Sequence, residues 1–125
     1  MAKGDDIEDR LIRFGVGIMS LCEHFPKSYA GSHVGNQLLR SATSGAPNYA
    51  EARGCESMQD FIHKLGIVLK ELNESRVWLK MAMTQQLAER PECDNLFQEC
   101  DELCRIVAVS RRTAQRSLGE LRTKN

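Results

Sequence analysis

Apolar residues recur along the chain at steps of four and three, the spacing that places side chains on one face of an α-helix. The first series is Ile7, Leu11, Phe14, Ile18, Leu21 and Phe25. Asp5 and Asp6 precede it, where a helix N-terminus favours negative charge. Pro26 ends it by removing a backbone donor and restraining Phe25, which predicts a first helix over 5–25 that stops near His24. After a short loop around Tyr29 to Gly31, Ser32 reads as the N-cap of a second helix over 32–54. Its run of small residues, Ser41 to Ala46, permits close approach of a neighbouring helix, and Pro47 predicts a kink.

Ser57 with Asp60 resembles a capping box with a shortened acid and opens the most regular stretch, a helix over 58–87. Met58, Phe61, Leu65, Val68, Leu72, Ser75, Leu79 and Ala82 hold the alternation there, and Leu69 and Trp78 widen the apolar surface. Pro91 suits the first turn of a fourth helix over 91–121, whose seam is Leu96, Cys100, Leu103, Val107, Ser110, Ala114, Ser117 and Leu121. Arg122 to Asn125 are expected to fray. Four amphipathic segments with short connections predict an all-α, antiparallel up-down-up-down four-helix bundle, a single domain over 1–125.

Composition agrees with that class. An aromatic content of 6%, three prolines and no β-branched runs argue against a sandwich or barrel. With 125 residues, 42% hydrophobic and 27% charged, the chain suits one packed domain and excludes fibrous and low-complexity classes. Lys plus Arg (17) equal Asp plus Glu (17), so no global field draws the protein to nucleic acid or an anionic membrane. The first residues lack a signal-peptide pattern, and no apolar run reaches the roughly 18 residues of a membrane span. A cytoplasmic protein without membrane contact is expected, and its five cysteines are expected as free thiols.

No catalytic, cofactor-binding or metal-ligating residues are assigned. Cys100 and Cys104 share a helical face, but Cys100 falls on the apolar seam, where a thiol behaves as a small hydrophobe. No Glu-x-x-His pair suits a di-iron bundle site. Gly15-Val16-Gly17 lies mid-helix without a preceding strand and is no phosphate loop. Asn48 and Glu51, one turn apart beside Pro47, have two readings. One is a structural network, with Asn48 on freed carbonyls and Glu51 meeting Arg40 or Lys64; the other is a ligand or substrate pocket. Neither convergent acids nor a nucleophile with a base are spaced for hydrolysis, so no enzyme is expected.

Local charge is more informative. Glu92, Asp94, Glu99, Asp101 and Glu102 load the start of the fourth helix, while Arg105, Arg111, Arg112, Arg116, Arg122 and Lys124 load its end. Arg105, Arg112 and Arg116 follow steps of seven and four, a positive strip able to contact RNA or DNA phosphates, with a solvated helix face as the plain alternative. The strip lacks aromatic residues for base stacking, which leaves only backbone contact. Helix one carries a second apolar set, Ile12, Val16, Met19 and Cys22, and helix three adds Ile62 and Leu69. Faces this wide predict a homo-oligomer with these faces partly at its interface.

The order and spacing of several segments resemble a known family. They are Gln37-Leu38-Leu39-Arg40-Ser41-Ala42-Thr43-Ser44, Asn48-Tyr49-Ala50-Glu51-Ala52, Ser57, Asp60-Phe61-Ile62-His63-Lys64-Leu65, Leu69-Lys70-Glu71 and Trp78-Leu79. They look like the bacterial four-helix-bundle proteins encoded in intervening sequences of 23S rRNA genes. The resemblance covers helices two and three, about half the chain; helices one and four match in pattern. Gly45-Ala46-Pro47 and Gly66 depart from the family pattern. The resemblance implies a ring-shaped homo-oligomer, often a pentamer. It also implies a distant relation to the accessory protein of diversity-generating retroelements, which binds nucleic acid and a reverse transcriptase. It supplies no catalytic residues. The expected function is a non-enzymatic oligomeric scaffold touching nucleic acid through the strip, with a protein–protein interaction module that binds no nucleic acid as the alternative.

Overall fold

The computed structural model describes residues 3–124, which form four α-helices: α1 (Lys3–Cys22), α2 (Tyr29–Arg53), α3 (Met58–Thr84) and α4 (Arg90–Lys124). Short connections turn each helix back on the one before, and α1 closes the circuit against α4, making a single-domain four-helix bundle. α1 packs on α2 and α4, and α3 packs on the same two helices, so α1 and α3 stand at opposite corners.

The four-three series supply the core. Ile7, Leu11, Phe14, Ile18 and Leu21 of α1 are buried against Leu38, Ala42, Tyr49 and Ala52 of α2 and Leu65, Val68, Leu72, Leu79 and Ala82 of α3. α4 adds Cys93, Cys100, Leu103, Cys104, Val107 and Ala114. The small residues of α2 act as expected. Gly45 lies against Leu11, and the buried Ser41 hydroxyl meets that of Ser75 on α3 at 2.8 Å. Ser75 is bonded to the Glu71 carbonyl as well, so this buried hydroxyl pair is satisfied.

Several boundaries differ from the sequence expectation. α1 begins at Lys3 and ends at Cys22, before Pro26 acts. The cap of α2 is Ser28, not Ser32: the Ser28 hydroxyl accepts from the Gly31 amide at 3.0 Å, which places Tyr29 to Gly31 in the first turn instead of a loop. A β-carbon at residue 31 would collide with the Pro26 carbonyl, so glycine is required for this tight entry. α2 runs unbroken through Pro47 to Arg53. Ser57 caps α3 as expected, accepting from the Asp60 amide at 3.1 Å.

α3 stops at Thr84 instead of continuing to residue 87. Gln86 adopts a left-handed conformation (φ 57°), Leu87 N–H donates to the Ala82 carbonyl at 2.9 Å, and Gln86 N–H donates to the Met83 carbonyl at 3.2 Å. This is a Schellman ending, with buried Leu87 folding back over buried Ala82. α4 extends past 121, holding Arg122, Thr123 and Lys124 in the helix that was expected to fray; Asn125 lies outside the described residues. At 35 residues it is the longest helix, about 52 Å at 1.5 Å per residue.

The second apolar set divides. Ile12, Val16 and Met19 face outward on α1, but Ile62 is buried within the bundle, and Leu69 and Cys22 are half-buried. Cys22 is turned toward α2, its thiol 3.6 Å from the Gly35 carbonyl.

Candidate nucleic-acid interface

The outer face of α4 carries Arg105, Arg112 and Arg116, all exposed. At 100° per residue their steps keep them within about 40° around the helix axis, so they form one outward line. Their surroundings differ. Arg105 reaches back one turn to Asp101 at 3.5 Å, whereas Arg112 and Arg116 make no ion pair or side-chain hydrogen bond among the described residues. An exposed pair of this kind neutralises part of the local charge while contributing little to stability.

The other basic residues of α4 do different work. Arg111 turns inward, its Nε donating to the Ile62 carbonyl of α3 at 3.1 Å. Arg122 borders a shallow groove with Gln59, Ile62 and Leu118. Neither strengthens the strip. The Lys124 side chain lies outside the described residues.

The acidic start of α4 is largely consumed by cross-helix pairing. Arg10 of α1 grips Glu99 through two hydrogen bonds (2.7 and 3.1 Å) and reaches Glu102 at 3.2 Å. These bonds, Glu99 foremost, push the Arg10 guanidinium above its ordinary value. Asp94 pairs with Arg90 at 2.9 Å, and Asp101 is shared between Arg105 and Arg76 of α3. The charge gradient seen in the sequence is thus partly structural: Glu99, Asp101 and Glu102 hold α4 to α1 and α3, while Arg112 and Arg116 at the basic end stay open.

Asn48 and Glu51 resolve into separate contacts. Asn48 Nδ2 donates to the Ser44 carbonyl at 2.9 Å, next to Thr43, whose carbonyl Pro47 deprives of its helical donor. Glu51 receives Lys64 of α3 at 2.6 Å. Arg40, the other candidate partner, instead binds Glu71 at 3.2 Å and Glu74, and Glu74 also accepts from Trp78 Nε1 at 3.0 Å. Trp78 stands edge-on to His33 of α2 at 5.7 Å. The Arg40, Glu51 and Trp78 contacts join α2 to α3, whereas the Asn48 bond stays within α2.

The cysteines are free and divided between core and margin. Cys100 donates to the Leu72 carbonyl at 3.2 Å, and Cys104 lies 3.7 Å from Asn73 Oδ1. The neighbouring Cys104, together with burial, holds the Cys100 thiol above its ordinary value, while Cys100 and Arg76 hold Cys104 below its own. Among the described residues no three His, Cys, Asp or Glu side chains gather in a way that would hold a metal ion. No described helix is long and apolar enough to cross a membrane.

The sequence reading missed one surface feature. Val77 and Met81 of α3 are exposed on the side away from the core and border an apolar groove with Ala30 and Val34 of α2. Their one-turn spacing is visible in the sequence, but the regular inner seam of α3 overshadowed it.

Residues 6–109 match the family model for the 23S rRNA-intervening sequence protein. Arg105 lies inside that segment, and Arg112 and Arg116 lie beyond it. A solved structure is similar in fold and sequence: a protein of unknown function from the S23 ribosomal protein family of Bacteroides thetaiotaomicron. It is 28% identical with a TM-score of 0.81, over 89% of this chain and 99% of that one. No curated protein matches the chain. The matched segment spans most of α1, all of α2 and α3 and more than half of α4, so the chain belongs to the 23S rRNA-intervening sequence protein family.

Proposed function

We propose that this protein is a non-enzymatic, cytoplasmic scaffold that works as a homo-oligomer of four-helix bundles and touches nucleic acid without reading its sequence. The observation that carries the reading is the outward stripe Ile12, Val16 and Met19 on α1, which its own bundle leaves half-exposed. A stripe of three large apolar side chains on a helix whose opposite face already fills the core is an association surface. The pentamer is the assembly that the family resemblance implies. Arg105, Arg112 and Arg116 are the phosphate contacts of this reading, and oligomerisation repeats them so that weak contacts add. The partner is single- or double-stranded RNA or DNA, met through its backbone.

Asp101 beside Arg105 favours a second reading, a protein–protein interaction module that binds no nucleic acid, because an acid within the strip repels phosphate. Two measurements decide. Sedimentation equilibrium at micromolar concentration should give a particle several times the 14.1 kDa chain mass; a 14.1 kDa particle refutes the scaffold. Filter binding at low salt should retain unrelated RNA and DNA alike, and its absence leaves the interaction module.

A further inference from the structure

We infer that Cys104 is an oxidant-reactive thiol: hydrogen peroxide converts it to a sulfenate whose oxygen is bound by Arg76, while Cys100, one turn earlier, stays a thiol.

Cys100 and Cys104 leave one face of α4 toward α3, their β-carbons about 5 to 6 Å apart at this spacing. Cys100 is closed off in the core, with its Sγ 3.2 Å from the Leu72 carbonyl. Cys104 keeps 8% exposure and lies 3.7 Å from Oδ1 of Asn73, itself an exposed residue of α3. The open end of the pair is therefore Cys104, directly under the surface between the two helices.

Arg76, one turn after Asn73, supplies an independent observation. Its Nη1 faces Asp101 at 3.9 Å, but its Nε is buried without a hydrogen-bond partner, the one such side-chain atom among the described residues. A buried donor lacking an acceptor costs stability and calls for an explanation. Its charge bears on both thiols. A neutral thiol accepts hydrogen bonds weakly, whereas an oxyanion carried on sulfur is the strong, charged acceptor that this donor lacks.

The charges facing Cys104 are Arg76 of α3 and Asp101 and Arg105 of α4. Cys100 foremost, then Arg76 and Arg105, hold its thiol below the ordinary value against burial and Asp101. Cys100 is held above its own, so one sulfur attacks and the other keeps its proton. The Cys104 thiolate attacks a peroxide oxygen; the S–O bond forms as the O–O bond breaks, and sulfur loses two electrons to the peroxide. The departing hydroxide takes the sulfenic proton and leaves as water, and Arg76 Nε–H donates to the sulfenate oxygen. Helix geometry then protects the product. A disulfide needs β-carbons about 3.5 to 4.5 Å apart, so closing onto Cys100 requires α4 to deform.

The test treats native protein with hydrogen peroxide and a cyclic 1,3-diketone that tags sulfenic acid, and tandem mass spectrometry locates the tag. Cys104 should be tagged first, ahead of Cys22 and Cys55, which are less buried and which exposure alone would favour. This selectivity is read on wild type and needs no variant. Cys104→Ser should lose the early tag. Arg76→Gln should slow tagging several-fold at neutral pH and move the pH midpoint of the rate upward, and Arg76→Lys, which restores the charge, should recover part of the rate. The Arg76 side chain is 43% exposed, and an unchanged helical circular dichroism spectrum verifies folding of its variants. Tagging of Cys22 or Cys55 before Cys104, a Cys100–Cys104 disulfide as the main product, or a rate indifferent to Arg76→Gln in the folded protein overturns the inference.

Discussion

Arg111 of α4 lies across Gly66 of α3: its Nε stands 3.2 Å from where a β-carbon at residue 66 would sit, and it donates to the Ile62 carbonyl at 3.1 Å. The glycine gives the guanidinium a path over the helix surface to a carbonyl one turn earlier. In an open helix the Gly66→Ala change would add about 1 kcal/mol of stability. Here the new methyl crowds Arg111, so the gain should be small or reversed in the native background and fully restored when Arg111 is already alanine. Urea unfolding of the double-mutant cycle measures the coupling. Additive effects would show that Arg111 does not depend on the missing side chain.

Leu65 and Leu72 occupy the centre of the α3 seam and are essentially inaccessible to solvent. Truncating either to Ala removes buried methyl groups and leaves a cavity, with an expected loss of roughly 2 to 5 kcal/mol in denaturant unfolding. A variant that unfolds with wild-type stability would contradict the inward orientation of this face.

At the end of α3, Gln86 holds a left-handed backbone that glycine adopts without penalty. Gln86→Gly should therefore raise stability by up to about 1 kcal/mol, as seen in the chemical unfolding midpoint. Gln86→Val, whose branched side chain resists this conformation, should lower it.

Burial pushes the Cys22 thiol from 9.0 up to about 11. The folded protein thus holds this proton more tightly than the unfolded chain does. The resulting stability is complete below pH 9 and is lost as pH rises toward about 11. Serine does not ionise in this range, so the stability difference between wild type and Cys22→Ser should shift against wild type between those pH values. A difference that stays flat with pH would show that the thiol is freely solvated.

The bundle was legible because its inner faces obey one rule: Ile7 through Leu21 and Leu65 through Ala82 keep steps of three and four, and burial follows them residue by residue. Boundaries were harder wherever two residues of the same type competed. Ser28 and Ser32 are equivalent as caps in sequence, and the choice falls to Ser28 because Gly31 can pass under Pro26. The left-handed turn at Gln86 carried no glycine to announce it. The geometry of the candidate strip was partly legible. Helical spacing correctly put Arg105, Arg112 and Arg116 on one exposed line, but which arginine turns inward depends on a gap in another helix. Arg111 sits beside Arg112 in the chain, but the 100° helical step turns it toward α3, where the open surface at Gly66 lets it reach the Ile62 carbonyl.

The three arginines of the strip should not contribute equally to nucleic-acid binding. Arg112 and Arg116 offer unshared charge, whereas Arg105 already faces Asp101 at 3.5 Å. Changing all three to Gln should weaken binding to unrelated RNA and DNA sequences by the same factor, because backbone contacts carry no base information. The dependence of affinity on salt should flatten by about 0.7 to 0.9 logarithmic units for every phosphate that a chain no longer neutralises. Arg112→Gln and Arg116→Gln should each cost more than Arg105→Gln. Asp101→Asn should strengthen binding, since it frees Arg105 and removes a repelling carboxylate. Filter binding across a salt series reads all of these. Unchanged affinity in the triple variant would return the strip to an ordinary solvated face, and an equal loss from Arg105→Gln would show that Asp101 does not restrain it.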